Sequence, residues 1–325
     1  RAVAADARVS GGLAGGQAAA AVAGERVGVA LADALKDTAV RVDAVLATEL
    51  SGFAMRPDMS DTLVVAISQS GTTTDTNRTV DVVRARGARV IAIVNRRNSD
   101  LTDKVDGVLY TSDGRDVEMS VASTKAFYSQ IAAGFLLTVA LADALGVEPP
   151  ADRQGLLAAL RDLPEALEAT IATRPAVAAA AQQLAPHRRY WAIVGNGANR
   201  VAAREIRIKL SELCYKSIAC DSTEDKKHID LSSEPLILVC AAGLEGSNAD
   251  DVAKEVAIYR AHKAAPVVIA TEGEGRFAAA LQALTVPATD PRLAFVLAAM
   301  VGHLFGYEAA LAIDGLARPL RSARA

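Results

Sequence analysis

The chain is poor in aromatic residues: Phe, Tyr and Trp together make up 4% of its 325 residues. Its cores must therefore be built from Ala, Val, Leu and Ile, and an apolar content of 51% is ample for that. Cysteine is scarce too. Cys214, Cys220 and Cys240 show no metal or redox spacing, and such an odd, frameless set points to a reducing, cytoplasmic setting. Charge of one sign is also missing. A formal net charge of −3 offers no footprint for nucleic acid and none for an anionic membrane surface. No secretory signal is visible. The most apolar stretches are 131–141 and 293–313. The first is too short to span a bilayer, the second carries His303 and Glu308, and both read as buried helices.

Length allows two domains of ordinary size. Short apolar runs alternate with longer helical patterns. The runs at 8–13, 43–47, 63–67, 90–94 and 107–110, then 190–194, 236–240, 266–270 and 283–286, read as strands. Strand–helix alternation argues for parallel sheets covered on both faces. The chain also resembles itself at an offset of roughly 175 residues, far beyond solenoid periods of about 20–50. The block from Leu63 through Ile93 is answered by the block from Leu236 through Ala270. The Ala/Leu-rich stretch between Pro149 and Pro186, punctuated by Pro164 and Pro175, reads as helical packing between the halves.

One segment stands out. Leu63-Val64-Val65-Ala66-Ile67 runs into Ser68-Gln69-Ser70-Gly71-Thr72-Thr73-Thr74. The spacing then predicts a helix over 75–86. A helix N-terminus presents unpaired N–H groups and the positive end of its dipole. One N-cap needs a single side-chain oxygen, and this loop offers five hydroxyls, on Ser68, Ser70, Thr72, Thr73 and Thr74. The excess suits an anion, a phosphate above all. No Gly-Lys-Ser/Thr follows, which favours a sugar phosphate over a nucleoside triphosphate. The matching loop in the second half, Ala241-Ala242-Gly243-Leu244-Glu245-Gly246-Ser247, has one hydroxyl and a carboxylate that would oppose phosphate.

These residues resemble a known family. Ser68-Gln69-Ser70-Gly71-x-Thr73-x-Asp75-Thr76 resembles the sugar-phosphate loop of sugar isomerase (SIS) domains. Val121-Ala122-Ser123-Thr124-Lys125, Gly195-Asn196-Gly197, the helix Glu205-x-x-x-Lys209-Leu210-x-Glu212-x-x-Tyr215, and Lys227-His228 follow in the order of the double-SIS isomerase region of glutamine–fructose-6-phosphate aminotransferases. The resemblance implies an α/β fold of two tandem SIS-type three-layer α/β/α domains with mostly parallel sheets. Residues 1–150 would carry the sugar-phosphate loop, 151–186 a helical connector, and 187–325 the catalytic Glu and His. It implies that Ser68, Gln69, Ser70 and Thr73 hold the phosphate of a hexose 6-phosphate and that Val121 and Ser123 contact the sugar. Glu212 would be the base between C1 and C2, Lys209 a lysine beside it, and His228 the ring-opening residue supplied by the partner subunit of a homodimer. No metal or cofactor is implied.

The proton chemistry also follows from the residues. Interconverting a ketose imine and an aldose amine moves a proton between neighbouring carbons, and one carboxylate can do both steps. Glu205, Lys209 and Glu212 share one helix face. The alternative is a surface ion-pair ladder worth about 0.3–0.5 kcal/mol per pair. Glu205 then reads as structural or orienting. His303 reads as a satisfied core residue, His187 and His262 as surface residues, Phe127 and Tyr128 as core. Lys125 has two readings, a charge near the phosphate or a cap at a strand–loop end. Arg96 and Arg97 form a solvated edge or steer an anion.

Three departures from the family pattern remain. Gln17-Ala18-Ala19-Ala20 follows Gly15-Gly16 where Gly, Thr and Ser are usual. Glu224 to Asp230 lacks the usual Gly residues and Pro around Lys-His. The tail from Arg318 to Arg324 holds arginines and no lysine, and arginine forms no imine. The chain begins at Arg1 rather than Met and is read as part of a longer protein. A glutaminase domain upstream, or free ammonia, would supply nitrogen. Two rival readings are an amino-sugar-phosphate deaminase or deglycase, and a non-catalytic phosphosugar sensor.

Overall fold

A computed structural model describes residues 8–14, 18–113, 123–147 and 153–322. The chain divides into two compact units, Arg1–Arg153 and Gln154–Ala325.

The first unit runs β1 (Arg8–Ala14), α1 (Ala18–Leu35), β2 (Arg41–Leu46), α2 (Ala47–Glu49), β3 (Thr62–Ser68), α3 (Thr74–Arg84), β4 (Arg89–Val94), α4 (Asp100–Lys104), β5 (Gly107–Tyr110) and α5 (Lys125–Ala144). One π-helical turn, Leu50–Ala54, continues α2. The five strands form a parallel sheet in the order β2-β1-β3-β4-β5. Alternate residues of the central strands face opposite ways. Val64, Ala66, Val90 and Ala92 pack with Leu50, Val80, Val83 and Leu101 on one side. Val65, Ile67 and Ile93 pack with Val27, Leu31, Leu35 and Leu137 on the other. Burial on both faces is why β3 reads as an uninterrupted apolar run.

In the second unit α6 (Arg153–Ala172) opens at the boundary. Then come α7 (Arg174–Leu184), β6 (Trp191–Gly195), α8 (Asn199–Cys214), β7 (Ala219–Asp221), α9 (Thr223–His228), β8 (Leu236–Cys240), α10 (Gly246–Ala261), β9 (Ala265–Thr271), β10 (Gln282–Val286) and α11 (Ala294–Ser322). This sheet is also parallel and runs β7-β6-β8-β9-β10. Numbered from its own start it has the same 2-1-3-4-5 order as the first. Val194, Val239 and Val268 face Val252, Val256 and Tyr259 of α10. Helix α8 lies against β6 and β8, and α11 against β9 and β10, on the other side.

Helices α6 and α7, expected as a connector, fall in the second unit, where α7 packs along α11. Pro164 lies inside α6 without ending it, and Pro175 sits in the first turn of α7, where its missing N–H is harmless. The long apolar helices α5 and α11 pass a length-and-composition test for membrane spans, yet 56% and 61% of those stretches are buried inside the protein. Core helices pass the same test.

Candidate functional site

In a doubly wound sheet of order 2-1-3-4-5 the chain reverses direction of winding between strands 1 and 3. Ligands bind outside the carboxyl ends of the strands at that switch point. In the first unit this point lies between β1 and β3, and the loop leaving β3 is the hydroxyl-rich segment. The loop leaving β1, residues 15–17, is outside the described residues, as is Val121.

The β3 loop is tightly built. Ser68, at the end of the strand, is buried, and its Oγ accepts the Gly71 N–H at 3.0 Å. The buried Gln69 accepts the Asn95 and Arg96 N–H groups on its carbonyl at 3.3 and 3.2 Å. Ser70 Oγ accepts from the Thr72 N–H and hydroxyl at 3.3 and 3.1 Å. Gly71 has φ +66, and an added Cβ would lie 2.0 Å from Ser99 Oγ, so only glycine fits. Asn77 ties the loop to α3, its Nδ2 donating to the Gly71 and Thr73 carbonyls at 3.0 Å each. Thr73 is the N-cap residue, but its side chain makes no capping hydrogen bond. Among the described residues, the first-turn N–H groups of α3 therefore lack the usual capping acceptor from Thr73, which is half-buried. Of the hydroxyls counted in the sequence, Ser68 and Ser70 already serve the loop itself.

Ser123 is buried just before α5 and Lys125 is exposed at its first position. Phe127 is fully buried and meets Tyr128 edge-on at 5.5 Å. Arg97 stacks on Tyr110, 4.2 Å from the ring centroid, and donates to the Ser112 carbonyl at 3.3 Å. Arg96 is exposed.

The second unit's switch point, between β6 and β8, is differently occupied. Asn199 Nδ2 donates to the Ala242 carbonyl at 2.8 Å. Asn196 both donates to Thr223 Oγ1 at 2.6 Å and accepts the Thr223 N–H at 3.1 Å. Helix α10 has Glu245 at its N-cap position without a capping bond. Side chains bridge these loops and a carboxylate stands where an anion would need none.

Helix α8 brings together two of the expected residues. Glu205 and Lys209 form an ion pair at 3.2 Å and are 0% and 3% exposed in their side chains. The surface-ladder reading is thereby corrected: α11 covers this stretch, and His303 Nε2 lies 3.2 Å from the same Glu205 Oε1. Glu212, one turn further on, is exposed. His228, exposed, ends α9. That short helix is held by Ser222 at its N-cap, which accepts the Asp225 N–H at 3.1 Å. Lys227 pairs with Glu255 of α10 at 2.8 Å, which raises the lysine's pKa, and the Tyr259 hydroxyl donates to the Thr223 carbonyl. Asn77 and the His303–Glu205 contact escaped sequence reading. Their only local signal was an asparagine one turn after a cap, or a polar residue in an apolar helix.

Fold and loop together define a class: residues 26–140 match the SIS domain family. Two more specific likenesses follow. The chain is 33% identical over 253 residues to the glutamine–fructose-6-phosphate aminotransferase (isomerizing) of Symbiobacterium thermophilum, covering 77% of this chain and 41% of the relative. It is 34% identical over 257 residues to the enzyme of that name from Streptomyces coelicolor, again covering 77% and 41%. The chain thus spans about two fifths of the length of these curated relatives. Among solved structures, the C-terminal domain of glucosamine-fructose-6-phosphate aminotransferase from Francisella tularensis superposes with a TM-score of 0.84 at 18% identity, covering 96% of this chain and 86% of that one. A glucosamine-6-phosphate deaminase from Thermotoga maritima superposes at 0.69 with 16% identity, covering 94% and 85%. The structural likenesses carry the fold.

Proposed function

We propose that this chain is the isomerase region of a glutamine–fructose-6-phosphate aminotransferase-like enzyme, built as two tandem SIS-type domains. The observation that carries the phosphate assignment is the β3 loop at the switch point. Its N-cap hydroxyl is uncommitted and its helix N-terminus faces out of the sheet's carboxyl end. Ser68, Gln69, Ser70 and Thr73 form the cradle for the phosphate of a hexose 6-phosphate, with Ser123 and Val121 against the sugar. Support for the reaction comes from the curated relatives' names and from the acid–base groups of α8. Glu212 takes the proton from one carbon and returns it to its neighbour. Lys209 sets a positive charge three residues away, and His228 assists ring opening in the partner subunit of a homodimer. A glutaminase domain supplies ammonia in the longer, cytoplasmic protein.

The test is direct. The chain, given fructose 6-phosphate and ammonium, forms glucosamine 6-phosphate, and Glu212→Gln abolishes turnover while phosphosugar still raises the melting temperature. At about 100 times Kd a ligand stabilises by roughly 2.7 kcal/mol, which is easily seen. Ammonia release from glucosamine 6-phosphate without the forward reaction would instead assign a deaminase. Tight binding without conversion would assign a sensor. A phosphosugar that leaves the melting temperature unchanged would sink the phosphate cradle itself.

A further inference from the structure

Both units contain the same helix crossing. In the first, α1 and α5 meet at Gly134, where a Cβ would lie 2.1 Å from Val27 Cγ2. In the second, α8 and α11 meet at Gly302, where a Cβ would lie 2.1 Å from Ile206 Cγ1. The flanking positions correspond residue for residue. Arg26 precedes Val27 and Phe135 follows Gly134, and the guanidinium sits 5.0 Å from the ring centroid. Glu205 precedes Ile206 and His303 follows Gly302, and their side chains meet at 3.2 Å. The crossing therefore tolerates a cation stacked on an aromatic ring. Nothing in its packing demands an acid against an imidazole.

The second unit nevertheless buries three titratable groups there. Glu205 is 0% exposed, Lys209 2% and His303 8%. Withdrawing ions from water costs several kcal/mol each, so such clusters are poor stabilisers. Lys209 and His303 both address Glu205 Oε1. A carboxylate accepts and an imidazole N–H donates, so the contact fits a His303 that presents its Nε2–H to Glu205. Oε2 is buried with no hydrogen-bond partner among the described residues, so the carboxylate's orientation depends on those two donors. Lys209 and Glu212 are helix neighbours at i and i+3.

We propose that His303 is a positioning residue for the isomerisation. It shares Glu205 Oε1 with Lys209, and so fixes where the lysine ammonium is held, one helical turn before Glu212. Without the imidazole donor, Glu205 turns wholly to Lys209 and draws its charge away from the base. The proposal rests on the reading of Glu212 as that base.

Two variants and one spectroscopic measurement test it. His303→Phe places at this position the ring that the first unit has at Phe135 and removes the imidazole donor, and His303→Gln keeps an N–H donor. With fructose 6-phosphate and ammonium, His303→Phe should lower kcat about tenfold or more, part of the range of general acid–base catalysis, with KM changed less than about twofold. His303→Gln should recover most of the loss. Wild-type kcat in a folded His303→Phe protein, or a glutamine variant as impaired as phenylalanine, overturns the proposal. Imidazole ¹⁵N NMR of the wild-type chain should show His303 protonated at Nε2, with resonances that move in Lys209→Met. Resonances indifferent to that change overturn it even if His303→Phe does not fold. A wild-type chain that turns nothing over removes the isomerase reading, and the positioning role with it. An active wild type beside an unimpaired His303→Phe removes the positioning role alone.

Discussion

Gly302→Ala puts the helix crossing of the second unit to a quantitative test. The new methyl would lie 2.1 Å from Ile206 Cγ1, 2.4 Å from Cδ1 and 2.8 Å from Cγ2, against ordinary carbon contacts of about 3.5–4.0 Å. Ile206 is fully buried and β-branched, with one strongly favoured χ1 in a helix, so it cannot swing clear. Overpacking costs about 1–3 kcal/mol, and three simultaneous clashes put this case at the upper end. Alanine regains about 1 kcal/mol over glycine in helix propensity. The net expectation is a loss of roughly 2 kcal/mol. Gly315→Ala lies in the same helix with nothing within 4 Å and should stabilise by up to about 1 kcal/mol. Ile206→Ala alone should cost about 2–5 kcal/mol. Combined with Gly302→Ala it should cost at least about 1 kcal/mol less than the sum, because the methyl fills the space the isoleucine leaves. Urea unfolding followed at Trp191 is the assay. It is the single tryptophan of the chain, it is buried in β6, and its Nε1–H donates to the Arg188 carbonyl at 2.7 Å. The probe therefore reports the second unit even if the two units unfold separately. Gly302→Ala as stable as the parent, or a strictly additive double variant, would refute the close crossing.

Gly71→Ala forces a side chain to φ +66 and a Cβ to within 2.7 Å of Ser99 Cβ; it should cost about 1–3 kcal/mol and erase the melting-temperature gain from fructose 6-phosphate. Asp61 accepts hydrogen bonds from Arg56 and, more weakly, from Thr62, and its pKa falls from 3.8 to about 2. Its folded pKa lies below the unfolded one, so its contribution is present above the unfolded value and disappears as pH falls through about 2. Urea midpoints of the parent and Asp61→Asn, followed by circular dichroism, should differ by a constant amount above about pH 5 and converge toward pH 2; a gap that persists into acid contradicts this. Burial pushes the thiols of Cys214 and Cys220 up to about 11 and that of Cys240 further still. A thiol-disulfide reagent at about pH 8 should therefore label none of the three quickly in the native protein, and all three in urea.

The strands were legible because parallel strands covered on both faces cannot afford polar residues. The runs predicted at 236–240 and 107–110 match β8 and β5 residue for residue. The missed strand, β7, has three residues at the sheet edge, with Ala219 exposed, and carries no apolar run. The predicted helix over 75–86 is α3, Thr74–Arg84, which stops early because Gly87 turns the chain at φ +91. The hydroxyl-rich loop was legible as composition, but its scaffold was not. Asn77 and Ser99 act on Gly71 from neighbouring elements, and a one-dimensional pattern cannot show that. The burial of Glu205 and Lys209, which excludes the alternative of a surface ladder, was hidden for a similar reason. Charges at i and i+4 look like a solvated face until a second helix covers them, and the residue of that helix that meets Glu205, His303, lies 98 residues later. Gly302 and Gly306, set inside an apolar helix, were the visible trace. Each marks a place where a neighbouring side chain occupies the position of a Cβ.

The two units show how one topology can serve two different tasks. Both sheets have the order 2-1-3-4-5, so both have a switch point suited to a ligand. In the first unit that point keeps an open helix N-terminus, with Thr73 uncommitted. In the second, Asn199 bridges to the loop leaving β8, Asn196 ties the loop leaving β6 to the start of α9, and Glu245 stands at the cap. A phosphate would there meet a carboxylate and displaced hydrogen bonds. The helix crossing shows the reverse bias. The first unit fills it with Arg26, whose pKa burial lowers, against Phe135, a pair without a proton to transfer near neutrality. The second fills it with Glu205, Lys209 and His303. The hydroxyl-rich loop and the titratable cluster thus lie in different units. The same strand order carries a hydroxyl-rich helix N-terminus in one unit and a buried acid–lysine–histidine cluster in the other.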